Sequence, residues 1–159
     1  MELILWRHAD AEDVGPAGDA SRRLTGRGRE QARRMAEWLL PRLEGDWRIL
    51  ASPAARAVET AAALGRGFEV REALSTAATA HGVLHAAGWP AAPRVMVVGH
   101  QPTLGEVAAL LLGGEAGEVA VRKGAILWFA TRERDGRVET TLKAVLDPEM
   151  LERGGKRAK

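Results

Sequence analysis

Apolar residues fall into short continuous runs separated by stretches with three- and four-residue spacing, the pattern of strands and helices in alternation. Glu2-Leu-Ile-Leu-Trp6 is nearly all apolar and breaks off at Arg7-His8-Ala-Asp10, as a buried parallel strand does when it delivers polar groups at its C-terminal end. A loop containing Gly, Pro and Asp runs to about Arg23. Ala32, Met35, Ala36, Leu39 and Leu43 then mark one face of a long helix, with Thr25 as its N-cap and Leu24 packing beside it. Arg48-Ile-Leu-Ala51 predicts a second strand, after which Ser52 can cap and Pro53 can open a helix from Ala55 to Leu64, stopped by Gly65 and Gly67. Phe68-Glu-Val70 reads as a short third strand, and Ser75 to Ala87 as an Ala-rich helix closed by Gly88-Trp-Pro90. Arg94-Val-Met-Val-Val98 is a strand ending at Gly99-His100, and a helix follows from about Thr103 to Gly113-Gly114. Ala125 to Ala130 and Val138 to Val145 flank Asp135-Gly136 as a β-hairpin.

Strands alternating with helices predict an α/β fold: a three-layer, doubly wound, mostly parallel sheet with helices on both faces and the C-terminal hairpin at its edge. The length, 159 residues, suits one domain over residues 1–150, followed by a flexible basic tail at 151–159 that carries Lys156, Arg157 and Lys159. The chain has no Cys, which excludes a disulfide scaffold, a thiolate zinc site and a Cys nucleophile. No apolar run approaches the ~18 residues of a membrane span, and Arg7 and Asp10 interrupt any leader core, so a cytoplasmic protein away from membranes is expected. A pI near 9.5 accompanies a net charge of only +2. With neither a basic stripe nor an aromatic platform, nucleic acid is not the expected partner. Nothing in the sequence demands more than a monomer.

In an α/β fold, ligands collect at the carboxyl ends of the strands. Three predicted strands end in chemistry: Arg7-His8 after the first, Ser52-Pro53 leading to Arg56 after the second, and His100 after the fourth. Two Arg and two His converging there call for an anion. Arg presents a planar fork matched to phosphate oxygens, and helices opening near Pro53 and Pro102 would aim further N–H groups at it. A neutral imidazole can also attack phosphorus and carry the phosphoryl group. Each residue alone has a plainer reading: a capped or core-edge His, a solvated helix Arg. His81 and His85 stand one helical turn apart, but no Asp or Glu occurs from Ala73 to Gly105, so a metal pair there is not expected.

Four segments resemble the histidine phosphatase superfamily in the form of the small SixA-type phosphohistidine phosphatases. They are Leu5-Trp-Arg-His-Ala-Asp-Ala-Glu12, Arg22-Arg-Leu-Thr-Gly-Arg-Gly28 with Gln31-Ala32, Ala51-Ser-Pro-Ala-Ala-Arg-Ala-Val-Glu-Thr60 and Val97-Val-Gly-His-Gln-Pro-Thr-Leu104. The resemblance implies His8 as phosphoryl-accepting nucleophile, Arg7 and Arg56 as phosphate clamps, and His100 as a second histidine bonding a phosphoryl oxygen, with no cofactor or metal. Arg22 would line the pocket mouth, although Arg23 replaces the usual Pro and leaves open which of the two points inward. Larger members place a Glu or Asp general acid after the third strand; Leu74-Ser-Thr-Ala-Ala-Thr79 has none, although Glu72 just upstream could reach in. A missing acid favours P–N over P–O cleavage, because an alkoxide needs a proton that an imidazole can take from water. The expected substrate is thus a phosphohistidine-bearing protein, with a phosphorylated small molecule (a phosphomonoester or phosphoanhydride) as the alternative and a non-catalytic phosphoprotein-binding module as a third reading.

Overall fold

The computed structural model describes residues 1–114 and 117–151. One mixed sheet contains β1 (Glu2–Arg7), β2 (Arg48–Ala51), β3 (Glu69–Val70), β4 (Arg94–Gly99), β5 (Ile126–Arg134) and β6 (Arg137–Leu146), in the spatial order β3-β2-β4-β1-β5-β6. The first four run parallel; β5 lies antiparallel to β1, and β6 antiparallel to β5. Asp135 and Gly136, at φ 53° and 75°, form the two-residue turn that the dipeptide predicts.

Side chains alternate across the central strands. Leu3, Leu5, Val95 and Val97 face α3 (Ala80–Ala87) and α4 (Thr103–Gly113), whereas Ile4, Trp6, Met96 and Val98 face α1 (Gly26–Leu39) and α2 (Ala55–Ala62). All eight are 0 % exposed, and each contributes about 1.5–3 kcal/mol on burial. The three-layer arrangement with its edge hairpin is therefore as expected.

Local differences trace to side-chain oxygens that capture backbone N–H groups. The third helix begins at Ala80 rather than Ser75, because the Thr79 hydroxyl accepts from the Gly82 amide at 3.0 Å while Ser75 accepts from Ala77 at 3.3 Å in a preceding turn. α2 stops at Ala62, and its N-cap, Ala54, has no side-chain bond. α1 gives way to a 3-10 turn, Leu40–Arg42, that contains Pro41, yet Leu43 is still buried. The tail expected over 151–159 lies outside the described residues except for Leu151, which ends a 3-10 turn and packs against the α1/α2 layer.

The loop after β1 is latched to the start of α1. Thr25 caps the helix and donates its amide to the Asp10 carbonyl at 3.0 Å, its hydroxyl lies 2.6 Å from Asp10 Oδ2, and the Asp10 amide donates to Gln31 Oε1 at 2.9 Å. Gly28 packs directly under this latch, where a β-carbon would overlap the Asp10 carbonyl oxygen. Helix propensity alone favours Ala over Gly by about 1 kcal/mol. Gly28→Ala is nevertheless expected to destabilise by about 1–3 kcal/mol, lowering Tm by about 2–4 °C for each, while Gly26→Ala, which meets nothing closer than Arg29 Nη2 at 3.7 Å, is expected to be neutral or stabilising in the same melts.

Candidate active site

Strand register decides which side chains meet. Arg7 pairs with Gly99 across β1 and β4, so His8 and His100 leave the sheet side by side, and the His8 amide donates to the Gly99 carbonyl at 3.1 Å. Ala51 of β2 pairs with Val98, and the Ser52 amide donates to the Val98 carbonyl at 3.0 Å. The Ser52 hydroxyl thereby comes within 2.7 Å of His100 Nε2. α2 starts at the same level, and its second residue, Arg56, places Nε 3.3 Å from His8 Nε2. The two imidazole centroids are 5.3 Å apart; His8, Arg56 and His100 are 6 %, 4 % and 5 % exposed.

A hydrogen bond fixes the tautomer of His8. His8 Nδ1 lies 2.8 Å from the Ala9 carbonyl, which can only accept, so Nδ1 carries the hydrogen and Nε2 keeps its lone pair. Ser52 Oγ accepts from the Ala54 amide at 3.2 Å and shares a hydrogen with His100 Nε2, as donor or as acceptor according to the His100 tautomer. His100 Nδ1 is buried and has no partner among the described residues. Burial pushes His8 down to about 3, the Ala9 bond opposing and the charges of His100, Arg56 and Arg7 adding to it. Burial, followed by the charge of Arg56, pushes His100 down to about 4. Both rings are neutral at physiological pH.

Arg7 stands beside them, donating Nη1 to the Val121 carbonyl at 2.8 Å, with Nε buried and unpartnered among the described residues. The loop it touches is tied to the end of β1: Trp6 Nε1 donates to the Gly124 carbonyl at 3.0 Å, and the Gly124 amide reaches the carbonyls of both Arg7 and His8. Thr60 Oγ1 accepts from the Ala9 amide at 3.1 Å. Gln101, which carried no expected role, braces the β4–α4 turn by bonding the Val119 carbonyl and the Gly105 amide.

Asp19 is the member of the site that sequence reasoning missed. It opens a 3-10 turn, Asp19–Ser21, and receives Arg56 twice: Nη1 on its carbonyl at 2.8 Å and Nη2 on Oδ2 at 3.0 Å. Arg22 Nη1 holds Oδ1 at 3.0 Å, and these two arginines keep the carboxyl below the usual carboxylate range. Arg22 is thus the inward member of its pair, since Arg23 turns outward to Glu59 at 3.3 Å. No spacing in the loop singles out Asp19; only the folded return of residues 10–23 over α2 does.

Glu72 is exposed and makes no hydrogen bond or ion pair to Arg7, His8, Arg56 or His100. His81 and His85 are exposed on α3, and among the described residues no three or more His, Asp or Glu cluster as metal ligands. No helix among the described residues is long and apolar enough to cross a membrane.

Comparison with known proteins agrees with this geometry. The family model of the histidine phosphatase superfamily (branch 1) matches residues 3–77. An uncharacterized protein of Picosynechococcus sp. (strain ATCC 27264 / PCC 7002 / PR-6) is 36 % identical over 129 residues, 74 % of this chain and 76 % of that protein. The structure of the protein histidine phosphatase SixA complexed with tungstate superposes with a TM-score of 0.79 at 28 % identity, covering 96 % of this chain and 100 % of that one. A candidate phosphohistidine phosphatase SixA from Nakamurella multipartitia gives 0.71 at 26 %, covering 92 % and 95 %. With its sequence motifs carried on the matching fold, the chain belongs to the histidine phosphatase superfamily.

Proposed function

We propose that this protein removes phosphate from phosphohistidine on another protein, through a phospho-His8 intermediate and without a metal. The observation that carries the reading is His8 itself: a buried, neutral imidazole whose Nδ1 hydrogen is committed to Ala9, leaving the Nε2 lone pair beside Arg56 and His100. The likeness to SixA supports it, that protein being a protein histidine phosphatase.

The chemistry is two displacements at phosphorus. The substrate's second ring nitrogen is protonated by water; Nε2 of His8 then attacks phosphorus as the substrate's P–N bond breaks and neutral imidazole departs. Water next attacks the phosphoryl group on His8, its proton passes to solvent, and Nε2 regains its lone pair as phosphate leaves. Arg7 and Arg56 offset the charge on the phosphoryl oxygens, and the His100 Nδ1 hydrogen bonds one of them. An ester would need a proton for its alkoxide. Asp19, held ionised between Arg22 and Arg56, has none to give, and Glu72 does not touch the site. An acid of this kind typically contributes ~10² to 10⁴ in rate, so P–N substrates are favoured.

Beside Arg7 opens a cleft of about 290 Å³ whose wall also includes Arg27, Arg122 and Lys123 together with the acids Asp10, Asp147 and Glu149. In this reading it receives the polypeptide flanking the phosphohistidine.

Phosphate release is measured from a phosphohistidine-bearing protein and from an aryl phosphate, without added metal. Wild type and Glu72→Ala are expected to act on the former and to be ~10²-fold or more slower on the latter, with His8→Ala inactive on both. Faster ester turnover that collapses in Glu72→Ala would instead establish a phosphomonoesterase with Glu72 as its acid. Phosphate binding without turnover would leave a binding module.

The neutrality of the two histidines is testable without substrate. Folded His8 and His100 take protons only near about 3 and about 4, whereas in the unfolded chain they take them near ~6.5. Between pH 7 and 5 the unfolded state therefore binds more protons, and stability is lost as pH falls, by up to about 1.4 kcal/mol per pH unit for each ring. Urea denaturation at pH 7, 6 and 5 should show this slope, and a His8→Gln/His100→Gln double variant should lose most of it.

A further inference from the structure

The hydrogen on His8 Nδ1 goes to a carbonyl whose own peptide group is held from behind. The Ala9 carbonyl that takes it at 2.8 Å belongs to the same planar amide as the Asp10 N–H, and that N–H donates to Gln31 Oε1 at 2.9 Å. Resonance polarises the amide as a unit, so engaging its N–H on one side makes its carbonyl a stronger acceptor on the other. His8, the peptide that joins Ala9 to Asp10 and Gln31 thus form one chain of hydrogen bonds running in a single direction. The preceding peptide is gripped at both ends as well: the Ala9 amide donates to Thr60 Oγ1 at 3.1 Å, and the His8 carbonyl accepts from the Gly124 amide at 3.0 Å.

Gln31 owes its place to α1. The helix starts at the Thr25 cap, and the Thr25 amide holds the Asp10 carbonyl at 3.0 Å, so both backbone groups of Asp10 are tied to α1. Gly28 allows that approach, since a β-carbon there would overlap the Asp10 carbonyl oxygen. On the far side of the same helix, Met35, Ala36 and Leu39 are buried in the α1/α2 layer, which fixes its rotation.

We infer that Gln31 is a positioning residue for the reaction at His8, acting through the peptide that joins Ala9 to Asp10. The inference rests on the phosphatase reading of this site and deepens it. Before attack, the chain keeps the hydrogen on Nδ1 and moves electron density towards Nε2. After attack, Nε2 carries the phosphoryl group while Nδ1 keeps its hydrogen, so the ring bears a positive charge and its bond to the Ala9 carbonyl becomes charge-assisted. An interaction that strengthens on the way to the transition state raises kcat, whereas it adds little to the binding of phosphate itself.

Gln31→Met keeps the length of the side chain and removes the acceptor, Gln31→Asn is too short to reach the Asp10 amide, and Gln31→Glu keeps an acceptor in place. Thr25→Val removes the α1 cap and the hydroxyl contact with Asp10 Oδ2 but neither peptide's hydrogen bonds, and so reports what loosening the same loop does alone. In turnover of a phosphohistidine-bearing protein, Gln31→Met and Gln31→Asn are expected to lower kcat by about tenfold, with affinity for inorganic phosphate, measured calorimetrically, within about twofold of wild type. Gln31→Glu should recover most of kcat, and Thr25→Val should lower Tm while leaving kcat near wild type. In NMR spectra of the free proteins, the His8 Nδ1 proton should move upfield in Gln31→Met and Gln31→Asn and not in Gln31→Glu. A kcat near wild type in whichever of the Met and Asn variants folds, a loss matched by Thr25→Val, or a loss that Gln31→Glu does not restore overturns the inference and leaves the phosphatase reading intact. Phosphate binding without turnover by wild type overturns both.

Discussion

Because Arg7 pairs with Gly99 in the parallel ladder of β1 and β4, His8 and His100 must leave the sheet as neighbours, and a slip of one residue would send one ring to the opposite face. The register is held by the core rather than by the site. Leu3 and Leu5 are committed to the α3/α4 layer, Ile4 and Trp6 to the α1/α2 layer, and a slip would exchange the two sets. Trp6 adds a direct link, since its indole holds the Gly124 carbonyl while the Gly124 amide reaches the carbonyls of Arg7 and His8. The largest buried side chain of β1 thereby fixes the backbone that carries the proposed nucleophile.

Burial then sets the charge balance. Were both imidazoles protonated, four cations would crowd one volume; desolvation keeps the rings neutral and leaves only the two guanidinium groups charged. Of these, Arg56 is balanced by Asp19, whereas among the described residues Arg7 has only the Val121 carbonyl as its hydrogen-bond acceptor. The positive charge that remains draws an anion towards His8 while its Nε2 lone pair stays available. Protonating His8 would strengthen the attraction and abolish the nucleophile, so the fold separates the two tasks between residue types.

Legibility in the sequence followed the range of the interaction. Strand ends, the Thr25 cap and the Asp135-Gly136 turn depend on residues a few positions apart, and pattern alone located them. His8, Arg56 and His100 were legible because each follows or opens an element whose boundary was itself legible. Asp19 was not, since its contact with Arg56 spans 37 residues and lies in a loop whose path only the folded chain defines. Ser52 shows the intermediate case: its type and place suggested a helix cap, and it does accept from Ala54, but its decisive bond is to His100, 48 residues away on the neighbouring strand. The start of α3 differs from the pattern for a local reason: Ser75 takes the Ala77 amide into a turn of its own, and Thr79 takes the Gly82 amide and caps the helix.

Among the described residues, Arg7 Nε and His100 Nδ1 are buried without hydrogen-bond partners, and a group left in that condition costs about 1–3 kcal/mol. Arg7 Nε is an N–H donor by the chemistry of guanidinium. The partner it lacks is therefore an acceptor, and since the Arg7 charge bears on both histidines, an anionic oxygen satisfies the charge as well as the hydrogen bond. Satisfying such donors through side chains of the protein itself would stabilise the fold and close the site. Asp19 does this for Arg56 and Arg22, and leaves Arg7 Nε without a partner among the described residues. A site that binds a phosphoryl group must remain poorly satisfied by its own chain.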